Sequence, residues 1–226
     1  MNVLTPVLLG LTAVTGLIDA VSYLALGHVL TANMTGNVVF LCFASAGAQG
    51  LSVARSAAAL VAFLAGAVIG GRIAVHKGSG PRHRWTGAAF GVEAGLLLAA
   101  VAACVGARGG QDTDATRLYA VIALTGLAMG VRNATVRKLG IPDLTTTVLT
   151  LTITGLAADS ALAGGKQARS ARRVGSVVAM VAGAAAGGLL LRSSLPLTLA
   201  VAAAISALCA TVAYFADRPI GSPAGT

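Results

Sequence analysis

The chain has 226 residues, of which 56% are hydrophobic and 10% charged. A soluble domain carries about 25% charged residues, so this chain is too poor in charge to cover a water-facing surface, and lipid must replace water around most of it. Its net charge of +9 does not read as nucleic-acid binding, because much of it lies in two short loops between apolar runs: Arg72, Lys77, Arg82 and Arg84, then Lys166, Arg169, Arg172 and Arg173. That is the placement of cytoplasmic loops under the positive-inside rule.

In chain order, six stretches approach the ~20 apolar residues that a transmembrane helix needs: 4–26, 53–75, 85–107, 118–138, 174–191 and 195–216. Residues 1–10 hold no Lys or Arg and no clear small-residue cleavage site. The first stretch therefore reads as a retained helix and not as a signal peptide. Two further segments fit poorly. Residues 36–48 are apolar but too short, and 144–162 hold Thr145, Thr146, Thr147, Thr150, Thr152, Thr154 and Asp159.

Charge decides how these two are placed. The basic loops 72–84 and 166–173 read as inside, and Arg137 and Lys138 end the fourth stretch inside. Loop 108–117 carries Asp112 and Asp114, balances to zero, and reads as outside. Segment 144–162 then begins and ends on one side of the membrane, and 36–48 enters from the other. The expected fold is a single all-α polytopic membrane domain, 1–226, with six spanning helices, two short re-entrant or broken helices, and both termini cytoplasmic. Non-helical backbone at such depth is tolerated only where protein or a water-filled cavity satisfies it.

An internal repeat, about 4–107 and 117–216, fits this layout. Shifting the chain by 110 residues sets Gly16-Leu17 on Gly126-Leu127, Val21 on Val131, Asn33 on Asp143, Thr35 on Thr145 and Asn37-Val38 on Thr147-Val148. After an insertion of seven residues, Ala65 through Gly71 falls on Ala182 through Gly188. Each copy has three spans, an odd number, so the second copy would be inverted. Inverted repeats with discontinuous helices are a recurring transporter architecture.

The stretch from Thr31 to Asn37 is the most informative. Asn33 or Thr35 suits an N-cap, Gly36 lets the backbone turn or approach a ligand, and a helix start offers free N–H groups to an anion or polar solute. Its repeat counterpart runs from Pro142 to Thr147. The candidate substrate-binding residues are therefore Asn33, Thr35, Gly36, Asn37, Asp143, Thr145 and Thr147. The plainer alternative is an outer turn followed by a well-capped helix.

Asp19 lies well inside the first span, where an acid is costly and takes a partner or faces a cavity. Ser22 and Tyr23 follow at spacings that let them share its face. Asp19 reads either as a group coupling to a proton or cation or as a structural hydrogen-bonder. Glu93 reads as a helix-pairing residue. Arg132 and Asn133 precede the inner end of the fourth span, and Arg132 is expected to snorkel to the boundary, with an anion ligand or a partner for Asp19 as the alternative. Gly66/Gly70 and Gly183/Gly187 are explained by close helix packing. Cys42, Cys104 and Cys209 lie in apolar runs without metal spacing and read as buried small residues. His28, His76 and His83 are isolated. Neither a catalytic template nor a phosphate loop is present, so the expectation is no enzyme, no cofactor and no metal.

The elements Gly16-Leu17-Ile18-Asp19-Ala20 and Thr31-Ala32-Asn33-Met34-Thr35-Gly36-Asn37-Val38, in this order, resemble the YoaK family of bacterial inner-membrane proteins, grouped as a domain of unknown function. Gly130-Val131-Arg132-Asn133-Ala134 and the Thr-rich run resemble the same family, with Arg132 standing where the resemblance leads one to expect glutamine. The likeness covers about residues 8–215 and implies a multi-pass protein of the bacterial inner membrane. It brings no substrate. The residues themselves point to a small-solute transporter or channel, with a polar or ionic solute, the lipid bilayer and a second copy of the chain as partners to consider. A membrane scaffold or assembly protein is the alternative.

Overall fold

The computed structural model describes residues 3–77, 82–105, 111–140, 149–164 and 170–215. Among these the chain is helical, without strands. The helices are α1 (Leu4–Ala25), α2 (Met34–Ser45), α3 (Val53–Lys77), α4 (Arg82–Val105), α5 (Gln111–Leu139), α6 (Leu149–Ala158), α7 (Ser170–Leu191) and α8 (Leu195–Phe215), with a 3-10 turn at Ala161–Ala163. Six are long and apolar enough to cross a bilayer. At 1.5 Å per residue, α2 and α6 are too short for a hydrocarbon core about 30 Å thick. The protein is an all-α polytopic membrane protein.

The observed spans follow the expected ones with two notable shifts. Helix α5 begins at Gln111, seven residues before the apolar run at Leu118. Helix α7 begins at Ser170, four residues early. The Thr-rich stretch is helical from Leu149, and Asp143, Thr145 and Thr147 lie outside the described residues.

Helix α1 packs on α7 and α8, α3 on α5, α4 on α5 and α8, α2 on α3, and α6 on α7. Burial separates centre from rim: 61% of the apolar window of α1 and of α5 is buried, against 28% for α3 and 17% for α7. The core holds Leu8, Leu11, Ile18, Phe90, Leu97, Ile122, Met129 and Leu199. The rim exposes Val61, Leu64 and Val68 on α3 and Val174, Val178 and Val181 on α7. So large an apolar surface fits lipid and not water.

Small residues set the close contacts. A Cβ at Gly16 would strike the Met180 carbonyl, one at Gly183 the Ala13 carbonyl, and one at Gly66 the Leu127 carbonyl. The Gly66/Gly70 and Gly183/Gly187 pairs thus bring α3 to α5 and α7 to α1, within one chain. After α1 the backbone reverses at Gly27, whose φ of +82° suits glycine. A side chain there would also collide with Arg55, whose guanidinium bonds the Gly27 carbonyl at 3.4 Å.

Candidate functional site

Thr12, Thr15, Asp19 and Ser22 recur every three or four residues along α1 and so share one side of it. The hydroxyls return protons to their own helix: Thr12 to Leu8 O at 2.8 Å, Thr15 to Leu11 O at 3.0 Å and Ser22 to Asp19 O at 3.2 Å. Such back-bonding lets a hydroxyl sit in an apolar interior while its oxygen still accepts.

Arg132 of α5 reaches this stripe. It has no exposed surface. Its Nη1 donates to Leu11 O at 2.7 Å and to Thr15 Oγ1 at 2.8 Å. Its Nε donates to Glu93 Oε2 at 2.9 Å, and its Nη2 donates to Glu93 Oε1 and, at 3.4 Å, to Ser206 Oγ. Ser206 donates to Glu93 Oε1 at 2.6 Å. A guanidinium has five N–H groups, and all five are used. One ion pair therefore joins α1, α4, α5 and α8 at the bundle centre. This corrects the expectation that Arg132 snorkels. The nearest polar acceptors lie sideways, on neighbouring helices, and reaching them leaves no reason to climb to the boundary. Glu93 does pair helices, as expected.

From Arg132 the polar groups continue along α1 as a file. One turn beyond Thr15 on the same side of α1 lies Asp19. Asp19 Oδ1 is buried without a hydrogen-bond partner among the described residues, and so is Oγ1 of Thr31. The linker between α1 and α2 folds back over the end of α1, with Thr31 N–H on Ser22 Oγ at 3.5 Å.

The expected site residues around α2 divide. Asn33 is the N-cap and accepts from Gly36 N–H at 3.4 Å. Asn33 and Thr35 are exposed. Asn37 is fully buried, and both ends of its amide are engaged: Nδ2 donates to Ser56 O at 2.8 Å and Oδ1 accepts from Leu30 N–H at 3.4 Å. It clamps α2 to α3 and to the linker. A side chain at Gly36 would press on Leu30 Cδ1. The Tyr23 ring lies edge-on to His28 at 4.9 Å and near Phe40 at 6.1 Å. Asn133 donates to Met129 O of its own helix at 2.8 Å.

Thr15 and Ser206 were missed as site residues. The three-to-four spacing from Thr12 to Ser22 was a legible signal for Thr15; nothing local marks Ser206. Cys42 is exposed on α2, against the expectation of burial, because that helix buries only Asn37. Cys104 lines a cavity of about 220 Å³ with Arg117, Leu26, Val121 and Pro196, where the Arg117 guanidinium bonds Cys104 O at 2.9 Å. At the edge, Arg173 of α7 holds Asp159 at 2.5 Å and Gly155 O at 2.7 Å.

Residues 7–212 match the family described as a protein of unknown function (DUF1275). The chain is 36% identical over 155 residues to the UPF0700 transmembrane protein YoaK of Bacillus subtilis (strain 168), a match covering 67% of this chain and 64% of that protein. The matched part is thus just under two thirds of the relative's length. No solved structure matches the chain.

Proposed function

The chain belongs to the DUF1275 family, and we propose that it is a small-solute transporter or channel of the bacterial inner membrane, with both termini cytoplasmic. One observation carries this reading: three ionisable side chains, Asp19, Glu93 and Arg132, gather inside a lipid-facing bundle, and one keeps a buried carboxylate oxygen unpartnered. Charged groups inside membrane helices are costly and mark solute and ion pathways. Asp19 is the coupling residue. The start of α2, with Asn33, Thr35 and Gly36, is the substrate-binding element; its repeat counterparts by sequence, Asp143, Thr145 and Thr147, lie outside the described residues.

An inverted repeat is part of the proposal. Exchanging α1 with α5, α2 with α6, α3 with α7 and α4 with α8 converts the α1–α7 packing into α5–α3, α2–α3 into α6–α7 and α4–α5 into α8–α1, and leaves α4–α8 unchanged. The glycine contacts add a register. Gly16 meets Met180 and Ala184, as Gly126 meets Ala59 and Phe63. The offset between α3 and α7 in these contacts is 121 (Ala59 to Met180), one helical turn beyond the 117 of the small-residue match. Glycines spaced by four residues let a sequence alignment slip by that turn.

Proteoliposome shrinkage by stopped-flow light scattering, over urea, glycerol, acetate and alkali chlorides, tests the reading. Native protein should speed equilibration of at least one solute, and Asp19→Asn should cut that rate at least about tenfold, a barrier change near 1.4 kcal/mol. Rates equal to empty liposomes across the panel would sink it. The scaffold reading has its own observation: Gly91 and Gly95 on α4 face outward with nothing within 4 Å, a surface that suits another helix. A stoichiometric partner retained through purification, with no flux, would favour it.

A further inference from the structure

The cavity of about 220 Å³ opens where α1 and α4 end and where α5 and α8 begin. These are the four helices that the Arg132–Glu93 network ties together deeper in the bundle. Its floor is Leu26 and Val121, both buried in the main core cluster. Its wall is apolar except for Cys104 and Arg117, and among the described residues Arg117 is its one charged lining group. The Arg117 guanidinium bonds the Cys104 carbonyl at 2.9 Å, so its place at the cavity is set by α4 and needs no ligand.

The repeat supplies a control for this void within the same chain. The shift of 110 residues that sets Gly16 on Gly126 also sets Leu26 on Val136, Val7 on Arg117, Leu8 on Leu118 and Leu11 on Val121. Val7, Leu8, Leu11 and Val136 are all buried in a single cluster, together with Trp85 at the start of α4 and Ala213 near the end of α8. The same junction of the same four helices is thus filled at one end of the bundle and hollow at the other. The hollow end is the one where arginine stands in place of valine. Interiors are close-packed, and an empty space is costly. A void lined by apolar side chains around one placed polar group is the usual form of a small-molecule site.

Charge and size narrow the ligand. A guanidinium stays ionised at physiological pH and pairs with a carboxylate through two parallel N–H bonds. An apolar cavity of roughly 150 Å³ holds benzene, so this one takes a molecule of about nine non-hydrogen atoms. Beyond Arg117 the wall offers no second charge, so the rest of the ligand is apolar.

We propose that this cavity binds a small organic anion, a carboxylate on an apolar body, with Arg117 as the recognition group. The comparison of the two ends rests on the inverted repeat, and the ligand class deepens the transport reading by naming a kind of solute. Binding is measured without any flux.

The experiment is calorimetric titration of the full chain in non-ionic detergent with benzoate, benzamide and benzamidine, which share a ring and a size and differ in charge. Benzoate should bind saturably and at least about tenfold more tightly than either of the others. Arg117→Gln should bring benzoate down to the level of benzamide. Ala25→Phe adds bulk at an exposed position of the lining and should weaken both. The native cysteines locate the site without any variant: benzoate should slow N-ethylmaleimide labelling of Cys104, read by peptide mass spectrometry, and leave Cys42, exposed on α2, unchanged. Equal binding of the three compounds, an undiminished benzoate preference in Arg117→Gln, or no protection of Cys104 would overturn the site. Displacement of benzoate by phosphatidylglycerol but not by phosphatidylcholine would overturn the free solute in favour of a lipid headgroup. Benzoate binding without solute flux would sink the transport reading and leave the site standing; flux with no benzoate binding would do the reverse.

Discussion

Arg132–Glu93 at the centre of the bundle and Arg173–Asp159 at its edge join the same two chemical groups in opposite surroundings. The central pair has no exposed side-chain surface, whereas at the edge Arg173 is 13% and Asp159 54% exposed. In the centre every donor of the guanidinium is used, on three other helices. At the edge the pair ties α6 to α7 within one short stretch of chain. The comparison teaches that the pairing itself does not set the energy; the cost of leaving one member alone does. Water can solvate Asp159 if Arg173 is lost. Nothing in the centre replaces it for Glu93.

The largest expected effect follows directly. Glu93→Ala leaves the buried Arg132 charge uncompensated and should destabilise the fold by about 3–5 kcal/mol, read from SDS-induced unfolding in mixed micelles. A loss below about 1 kcal/mol would make the two pairs equivalent and break the comparison. An intermediate effect is expected at Asn37, which is buried but uncharged. Asn37→Ala orphans Leu30 N–H and removes the bond to Ser56 O, and should cost about 1–3 kcal/mol. Amide exchange should quicken in α2 and the start of α3 and stay slow in α5; equal quickening in both would show that the clamp is not local. The smallest effect belongs to Asp159→Asn, at most about 1 kcal/mol and shrinking further in high salt. A cost matching that of Glu93→Ala would mean that the edge is as dry as the centre.

Most of the fold was legible along the chain. Hydropathy is a local property, so the six spans emerge with their ends within a few residues, apart from the start of α5, and the two short helices declare themselves by length and by threonine. Asn33 was legible as a cap because capping is settled within four residues. The role of Asn37 was not: its polarity marked a site, but its partner Ser56 is nineteen residues away, and both amide ends are engaged by the backbone. The ring contacts of Tyr23 were likewise beyond local pattern. Tyr23 lies only about 40° round the helix from Asp19, so spacing alone could not tell that its ring would rest on His28 and Phe40.

Asp19 shows where the two kinds of information meet. Its depth in an apolar run and its acidity were enough to mark it as costly and worth explaining. That its Oδ1 stays buried and unpartnered among the described residues is set by how the bundle packs round it. Arg132 is the opposite case. Distance along the chain placed it a turn or so from the basic inner end of its helix and suggested escape to the boundary. Its partners are Glu93, 39 residues away, and Leu11, 121 residues away, and no local pattern can specify them. By itself the sequence determined that this is a helical membrane protein, because the cost of exposing backbone and charge to lipid is incurred residue by residue. The tertiary structure alone decided which charges meet, because a buried charge is made tolerable by whichever helices pack against it.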